Sequence, residues 1–300
     1  MDRNFAPGAR ARAGFALAIV AALAVVGTSC RGGGPGRTTT TRPGPTTTGT
    51  TGTTLPSEVG RLPLTSNVDA DGPFAVTVDG RAGANSTVFR PTNLGQDGIK
   101  HPIFVWGTGG GSQPASYTDH FTRLASHGFV VISPNSANVT GPLLRSSLDW
   151  IIAQNSAAGS VYNGKLNTGK VGMGGHSMGS IGTFAAEAVE TRLTTTIHIG
   201  GGSFDGTGSS KVKTPTAYIC GSADTLALSN CRRDFTNVRS QPTFFSVLTG
   251  VDHIMTAREA LGGMNAWLRW HLNGETNRKA QFSPGGTFFQ GIFQSQVKNW

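Results

Sequence analysis

"KVGMGGHSMGSIGTF", Lys170 to Phe184, reads as a short strand, a glycine-rich turn and the start of a helix. Within it, Gly175-His176-Ser177-Met178-Gly179 fits G-x-S-x-G. The chain carries 43 glycines in 300 residues, so about 0.5 matches to the bare pattern are expected by chance and the pattern alone decides nothing. The context decides. The strand "KVGM" precedes the motif and the helix "SIGTFAAEAVETR" follows it. A sharp strand-to-helix turn leaves little room for side chains at Gly175 and Gly179. It projects the Ser177 hydroxyl upward and aims a helix N-terminus at it, which favours developing negative charge. Ser177 is the candidate nucleophile.

Outward from this turn, short apolar runs alternate with helical ones. "FAVTVDG" and "STVFRPT" read as early strands, and "HPIFVWG" and "FVVISPN" as buried ones. "YTDHFTRLASHG" has helical spacing and a glycine stop, and "LLRSSLDWIIAQ" is helical. Beyond the elbow come the strands "TTTIHIGGG", "TPTAYICGSAD" and "TFFSVLTG" and the helix "MNAWLRWHL". The fold class is α/β, with a mainly parallel central sheet flanked by helices on both faces and no obvious lid. In such sheets ligands bind beyond the carboxyl ends of the strands, so functional residues should follow strands.

A serine hydroxyl is inert at neutral pH without a base. His253 follows "TFFSVLTG", and Asp224 follows "TPTAYICGSA". The order Ser177, Asp224, His253 is that expected of an α/β-hydrolase. Asp224 could instead cap the following helix, with Asp205 and Asp252 as rival acids. Two N–H groups must hold an oxyanion. One belongs to Met178; the other lies in "GTGGGS", with Thr108 the first choice and Gly109 the second. The same glycine-rich loop lacks the GK[ST] ending of a phosphate cradle. Of the remaining histidines, His176 should shape the pocket floor and His198 should sit in the core. His127 ends a helix where its charge suits the dipole, and His271 lies in the last helix. No His/Cys/Asp cluster has metal-ligand spacing, and no metal or cofactor is expected.

Hydrophobic content is 37% and charged content 14%, low for a globular chain because the N-terminal region is not globular. Arg3, Arg10 and Arg12 precede the 12-residue apolar run Phe15 to Val26, too short for a comfortable membrane span. Residues 1–30 read as a signal peptide, and Cys30 as a site for a diacyl anchor. Residues 31–57 read as a disordered Thr/Gly/Pro-rich linker and 58–300 as the catalytic domain. The protein is expected to be secreted or lipid-anchored at the cell surface, and monomeric. The net charge of +9 includes six arginines and one aspartate in residues 1–54, which leaves +4 on the rest and no nucleic-acid footprint. In an exported protein Cys220 and Cys231 favour a disulfide over two buried thiols, with a short loop whose closure stabilises by roughly 3 kcal/mol.

"DGPFAVTVDG", "STVFRPTN", "RLASHGFVVIS", "GHSMG", "CGSADTLA" and the His253 loop, in this order, resemble bacterial cutinases and poly(ethylene terephthalate) hydrolases of the α/β-hydrolase fold. The wider group includes chlorophyllase-like and dienelactone-hydrolase-like esterases. The resemblance covers about residues 70–275. It implies a serine carboxylic-ester hydrolase acting on small or polymeric esters, with Ser177, Asp224 and His253 as triad and Thr108 and Met178 as oxyanion donors. It also implies substrate contacts at Gly107, His176 and Phe204. Lipase or acyltransferase chemistry on the same scaffold, or a non-enzymatic surface lipoprotein, are the alternatives. The chain departs from those polyesterases in lacking an aromatic residue after Gly107, where Thr108 stands. The loop "GGGSFDG" lacks their tryptophan, and only Phe204 could substitute. Some relatives pair a cysteine at the Cys220 position with one just after the catalytic histidine. Ile254 stands there, which leaves Cys231 as partner. The tail "QFSPGGTFFQGIFQSQVKNW" has no counterpart.

Overall fold

The alternating apolar runs assemble into one nine-stranded sheet. A computed structural model describes residues 60–300; the expected signal segment, Cys30 and the linker lie outside the described residues. The strands are β1 (Val76–Ala82), β2 (Ser86–Pro91), β3 (His101–Gly107), β4 (Val130–Pro134), β5 (Leu166–His176), β6 (Leu193–Ile199), β7 (Thr216–Gly221), β8 (Thr243–Leu248) and β9 (Phe293–Lys298). Their order is β1-β2-β4-β3-β5-β6-β7-β8-β9. From β4 to β8 every neighbouring pair is parallel; β1, β2 and β9 are antiparallel additions at the two edges.

The side-chain alternation of each buried strand assigns the two faces. On β3, Phe104 and Trp106 point to one side, where they meet α1 (Thr118–Ser126) and the aromatic surface around Trp267. Ile103 and Val105 point to the other and pack with Leu144, Leu148 and Ile151 of α2 (Gly141–Gln154). On that second face also lie α3 (Met178–Glu187) and, past the four-residue α4 (Gly208–Lys211), α5 (Leu228–Asn237). The short α6 (Met255–Glu259) leads into α7 (Leu261–Asn273), which returns to the first face and buries Met264, Trp267, Leu268 and Leu272. Each such side chain removed from water contributes roughly 1.5–3 kcal/mol. A strand buried on both faces must be apolar throughout, and this makes "PIFVW" and "FVVIS" legible as strands.

Two elements differ from the sequence reading. Helix α5, "LSNCRRDFTN", is polar apart from Leu228, Cys231 and Phe235, and it carries no continuous apolar run to announce it. Only Cys231, Asp234 and Phe235 are buried. The unplaced tail forms β9, whose Phe293–Lys298 pairs residue by residue with Leu248–Thr243 of β8. Trp300 closes this edge, donating from Nε1 to the Thr243 carbonyl at 3.1 Å and packing 5.2 Å from the Trp270 ring.

Candidate active site

Glycines at the elbow let three segments approach where no Cβ would fit. A Cβ on Gly179 would lie 2.0 Å from the Gly107 carbonyl oxygen, and one on Gly175 would lie 2.3 Å from the Gly179 carbonyl carbon. Contacts this short exclude any side chain. The end of β3, the end of β5 and the start of α3 are thus pressed together, and Ser177 is squeezed out at the top. Its backbone takes φ 55° and ψ −119°, a region that costs a non-glycine residue roughly 1–3 kcal/mol. The Ser177 N–H donates to the Ile199 carbonyl at the end of β6 (3.0 Å), which anchors the turn to the sheet.

Around this serine the structure brings three of the expected residues into one hydrogen-bonded chain. Ser177 Oγ–H donates to His253 Nε2 (2.9 Å), and His253 Nδ1–H donates to Asp224 Oδ2 (2.8 Å). The Asp224 carboxylate is fully buried, and the His253 side chain is 12% exposed. Burial alone would raise the Asp224 pKa. The hydrogen bond from His253 and those from the Ala227 and Leu226 N–H groups outweigh it and leave the carboxyl below its ordinary value. Its other oxygen, Oδ1, accepts from Leu226 N and Ala227 N, both at 2.9 Å, in the turn that precedes α5. The N-cap of α5 is Ala227, which makes no side-chain cap bond, so Asp224 orders the turn and does not cap the helix. The rival acids stand elsewhere. Asp252 Oδ1 accepts from Met255 N at the start of α6 (2.8 Å), and Asp205 closes a tight turn with Thr207.

The loop after β3 lies against the nucleophile. A Cβ on Gly109 would be 3.7 Å from Ser177 Cβ, and one on Gly110 would be 3.1 Å from Met178 Cγ. The Gly109 N–H donates to Tyr117 Oη (3.0 Å), so of the two loop donors considered, Thr108 is the one without that engagement. The Thr108 side chain is fully buried, its one hydroxyl proton shared between the Ser112 carbonyl of its own loop and the Ser136 carbonyl of the loop after β4, both at 3.3 Å. Gly107, expected to touch substrate, is packed against Gly179, where its missing side chain lets the elbow close.

His176, expected to shape the pocket floor, is 4% exposed and 5.0 Å from the His253 ring. Its Nδ1 meets Tyr117 Oη (2.8 Å) and its Nε2 meets the His253 carbonyl (2.9 Å). Burial pushes its pKa down to about 4. His198 is a core residue, stacked 3.8 Å from Phe184 and bonded through Nδ1 to Ser180 Oγ (2.8 Å). His127 is fully buried. Desolvation, reinforced by Arg269 and Arg123, lowers its pKa despite a bond to the Ala70 carbonyl. His127 stands at the C-cap of α1, the helix end expected from the sequence. Among the described residues, no group of three or more His, Cys, Asp or Glu could hold a metal ion.

Cys220, on β7, and Cys231, on α5, form a disulfide that closes the loop containing Asp224. Phe204 is 69% exposed on the loop after β6. Three further apolar side chains are exposed: Leu226 (56%), Ile254 (69%) and Met255 (37%). The sequence reading assigned Ile254 no role beyond standing where some relatives have a cysteine and passed over the other two; all three lie within two residues of Asp224 or His253, and that proximity was the available signal. Tyr117 was also missed, since nothing in "YTDHF" marks it as more than a helix start.

A bis(hydroxyethyl) terephthalate hydrolase of Streptomyces coelicolor is 29% identical over 236 residues, covering 73% of this chain and 67% of that protein. A PET hydrolase-like family model matches residues 51–289, a span that contains Ser177, Asp224 and His253 and every strand except β9. The chain belongs to the PET hydrolase-like family and is a carboxylic ester hydrolase of the serine type.

Proposed function

We propose that the protein hydrolyses carboxylic esters through an acyl-enzyme on Ser177. The observation that carries this reading is the unbroken chain from Ser177 Oγ through His253 to Asp224. His253 Nε2 takes the serine proton as Oγ attacks the ester carbonyl. Ionised Asp224 holds the imidazole in the Nδ1–H tautomer and stabilises the imidazolium that forms. The Met178 and Thr108 N–H groups receive the oxyanion. His253 then protonates the departing alcohol, activates water, and the acyl-enzyme is cleaved.

The substrate reading is an ester with an apolar acyl group, bound in an open cleft. Phe204, Leu226, Ile254 and Met255 keep apolar surface in water on the loops that carry or adjoin the triad. The relative's substrate, bis(hydroxyethyl) terephthalate, belongs to this class. Thr108, buried where the resembling polyesterases carry an aromatic residue, supports soluble esters over a crystalline polymer as the better substrates. Export and a lipid on Cys30 complete the proposal. The leader supports them, and so does the disulfide, which belongs to an oxidising compartment.

The test is hydrolysis of p-nitrophenyl esters from acetate to palmitate, and of bis(hydroxyethyl) terephthalate, by the parent and Ser177→Ala. The parent should hydrolyse the esters, and Ser177→Ala should lose at least roughly 10³-fold in kcat. A serine variant that keeps the parental rate refutes the acyl-enzyme. A competing alcohol acceptor that diverts most of the acyl group would identify a transferase instead.

A further inference from the structure

His176 and Tyr117 form a relay whose hydrogen-bond directions are fixed by chemistry. The His253 carbonyl can only accept, so His176 Nε2, 2.9 Å away, carries the proton. A neutral imidazole then has a bare Nδ1. Tyr117 Oη, 2.8 Å from it, must donate. The same hydroxyl oxygen accepts from the Gly109 N–H at 3.0 Å. Both groups are neutral near pH 7. Burial pushes the Tyr117 phenol up, despite the opposing Gly109 N–H and Ser112, and pushes His176 down to about 4. The relay therefore runs Gly109 N–H to Tyr117 O–H to His176 Nδ1, and His176 Nε2–H to the His253 main chain.

The two ends of this relay lie on the loop after β3, at Gly109, and on the loop bearing the base, at the His253 main chain. Tyr117 itself is clamped, 6% exposed, with ring centroids 5.8 Å from both Trp106 and Phe121 and 5.6 Å from His120. Gly200 leaves room for the relay. A Cβ there would lie 3.3 Å from His176 Nε2 and 3.5 Å from Asp224 Oδ2.

We propose that Tyr117 is a positioning residue for ester hydrolysis: its hydroxyl locks His176 in the Nε2–H tautomer that holds the His253 backbone, and at the same time withdraws the Gly109 N–H from the oxyanion site. The inference rests on the reading of Ser177, Asp224 and His253 as the acting groups. Tyr117 touches no reacting atom. Its effect is on where His253 Nε2 stands relative to Ser177 Oγ, and a misplacement near 1 Å costs on the order of 10²-fold in rate.

The experiment combines kinetics with the tautomer itself. In protein carrying ¹⁵N-histidine at pH 7.5, the His176 signal is assigned by its disappearance in His176→Asn. It should show protonated Nε2 in the parent and a shift toward protonated Nδ1 in Tyr117→Phe. On p-nitrophenyl butyrate, Tyr117→Phe should lower kcat about tenfold with KM within about twofold. Tyr117→Phe/His176→Asn should fall no further than His176→Asn alone, because the two act as one unit. A parent protonated on Nδ1, a Tyr117→Phe enzyme with parental kcat, or additive losses in the double variant would each overturn the proposal. A parent protonated on Nδ1 overturns the proposal even where a variant fails to fold. Ser177→Ala, run in parallel, reports separately on the hydrolase reading: if it keeps activity, that reading fails whatever the tautomer of His176.

Discussion

The disulfide between Cys220 and Cys231 offers a sharp test of what holds Asp224 in place. The two cysteines are 11 residues apart and both fully buried. Closing so short a loop in the unfolded chain removes about 9–10 cal/mol/K, or about 3 kcal/mol at 25 °C. For a domain of this size that corresponds to about 6–12 °C in Tm. With a urea m-value of about 2–3 kcal/mol/M, the midpoint should move by about 1 M. Activity should respond far less. The Asp224 loop has its own fastenings, with Ala223 N–H on the Val251 carbonyl (2.9 Å), Asp224 N–H on Gly221 (3.3 Å), and Leu226 and Ala227 N–H on Oδ1. Reduction should therefore change kcat by less than about threefold at temperatures well below Tm. The assay compares oxidised protein with protein refolded under dithiothreitol, both thiols being verified by alkylation and mass. Urea unfolding is followed by tryptophan fluorescence, and ester hydrolysis is measured at 20 °C. Coincident unfolding curves would refute the loop-entropy argument. A kcat collapse of 100-fold in folded, reduced protein would show that the bridge, and not the loop's own hydrogen bonds, positions Asp224.

Two further outcomes are expected. Burial pushes His176 and His271 each to about 4, the latter with help from Lys170, while the unfolded chain holds them near 6.5. The unfolded state therefore takes up these protons first, so the stability they confer is complete above about pH 6.5 and lost as pH falls toward about 4. For His176 the difference amounts to about 3 kcal/mol. Urea midpoints at pH 7.5 and 4.5 should differ accordingly, and His271→Gln should shrink the difference; a midpoint flat across this range would sink the argument. Deleting residues 291–300 removes the six register pairs of β9 with β8 and bares the β8 edge. At roughly 0.5–1 kcal/mol per pair the loss is about 3–6 kcal/mol, with edge-to-edge association as a second consequence. Size-exclusion chromatography and thermal unfolding measure both, and a monomeric truncated chain with unchanged Tm contradicts a stabilising role for β9.

Much of this molecule is legible in the chain because the signals are local. A strand covered on both faces must be apolar along its whole length, so "HPIFVWG", "FVVISPN" and "TFFSVLTG" announce themselves, and the glycines of "GMGGHSMG" reveal a turn that admits no side chains. Ser177, Asp224 and His253 follow from the rule that active groups stand after strands, in a fixed order. Helix α5 and strand β9 escaped because their stability is not local. The helix is fixed by a disulfide and by Asp234, which accepts from the Ser203 N–H and hydroxyl. The strand has an alternating pattern too weak to stand without β8 beside it. Position and order favoured Asp224 over Asp205 and Asp252, but the contact itself, Asp224 Oδ2 within 2.8 Å of His253 Nδ1, exists only in the folded chain. Thr108 ranked ahead of Gly109 on position, but the Tyr117 hydroxyl that accepts from the Gly109 N–H reaches that loop only in the folded chain. Residue type and spacing determined which chemistry was present. Tertiary structure decided which of several identical groups faces which partner, because hydrogen bonds form across ångströms of space and are blind to separation along the chain.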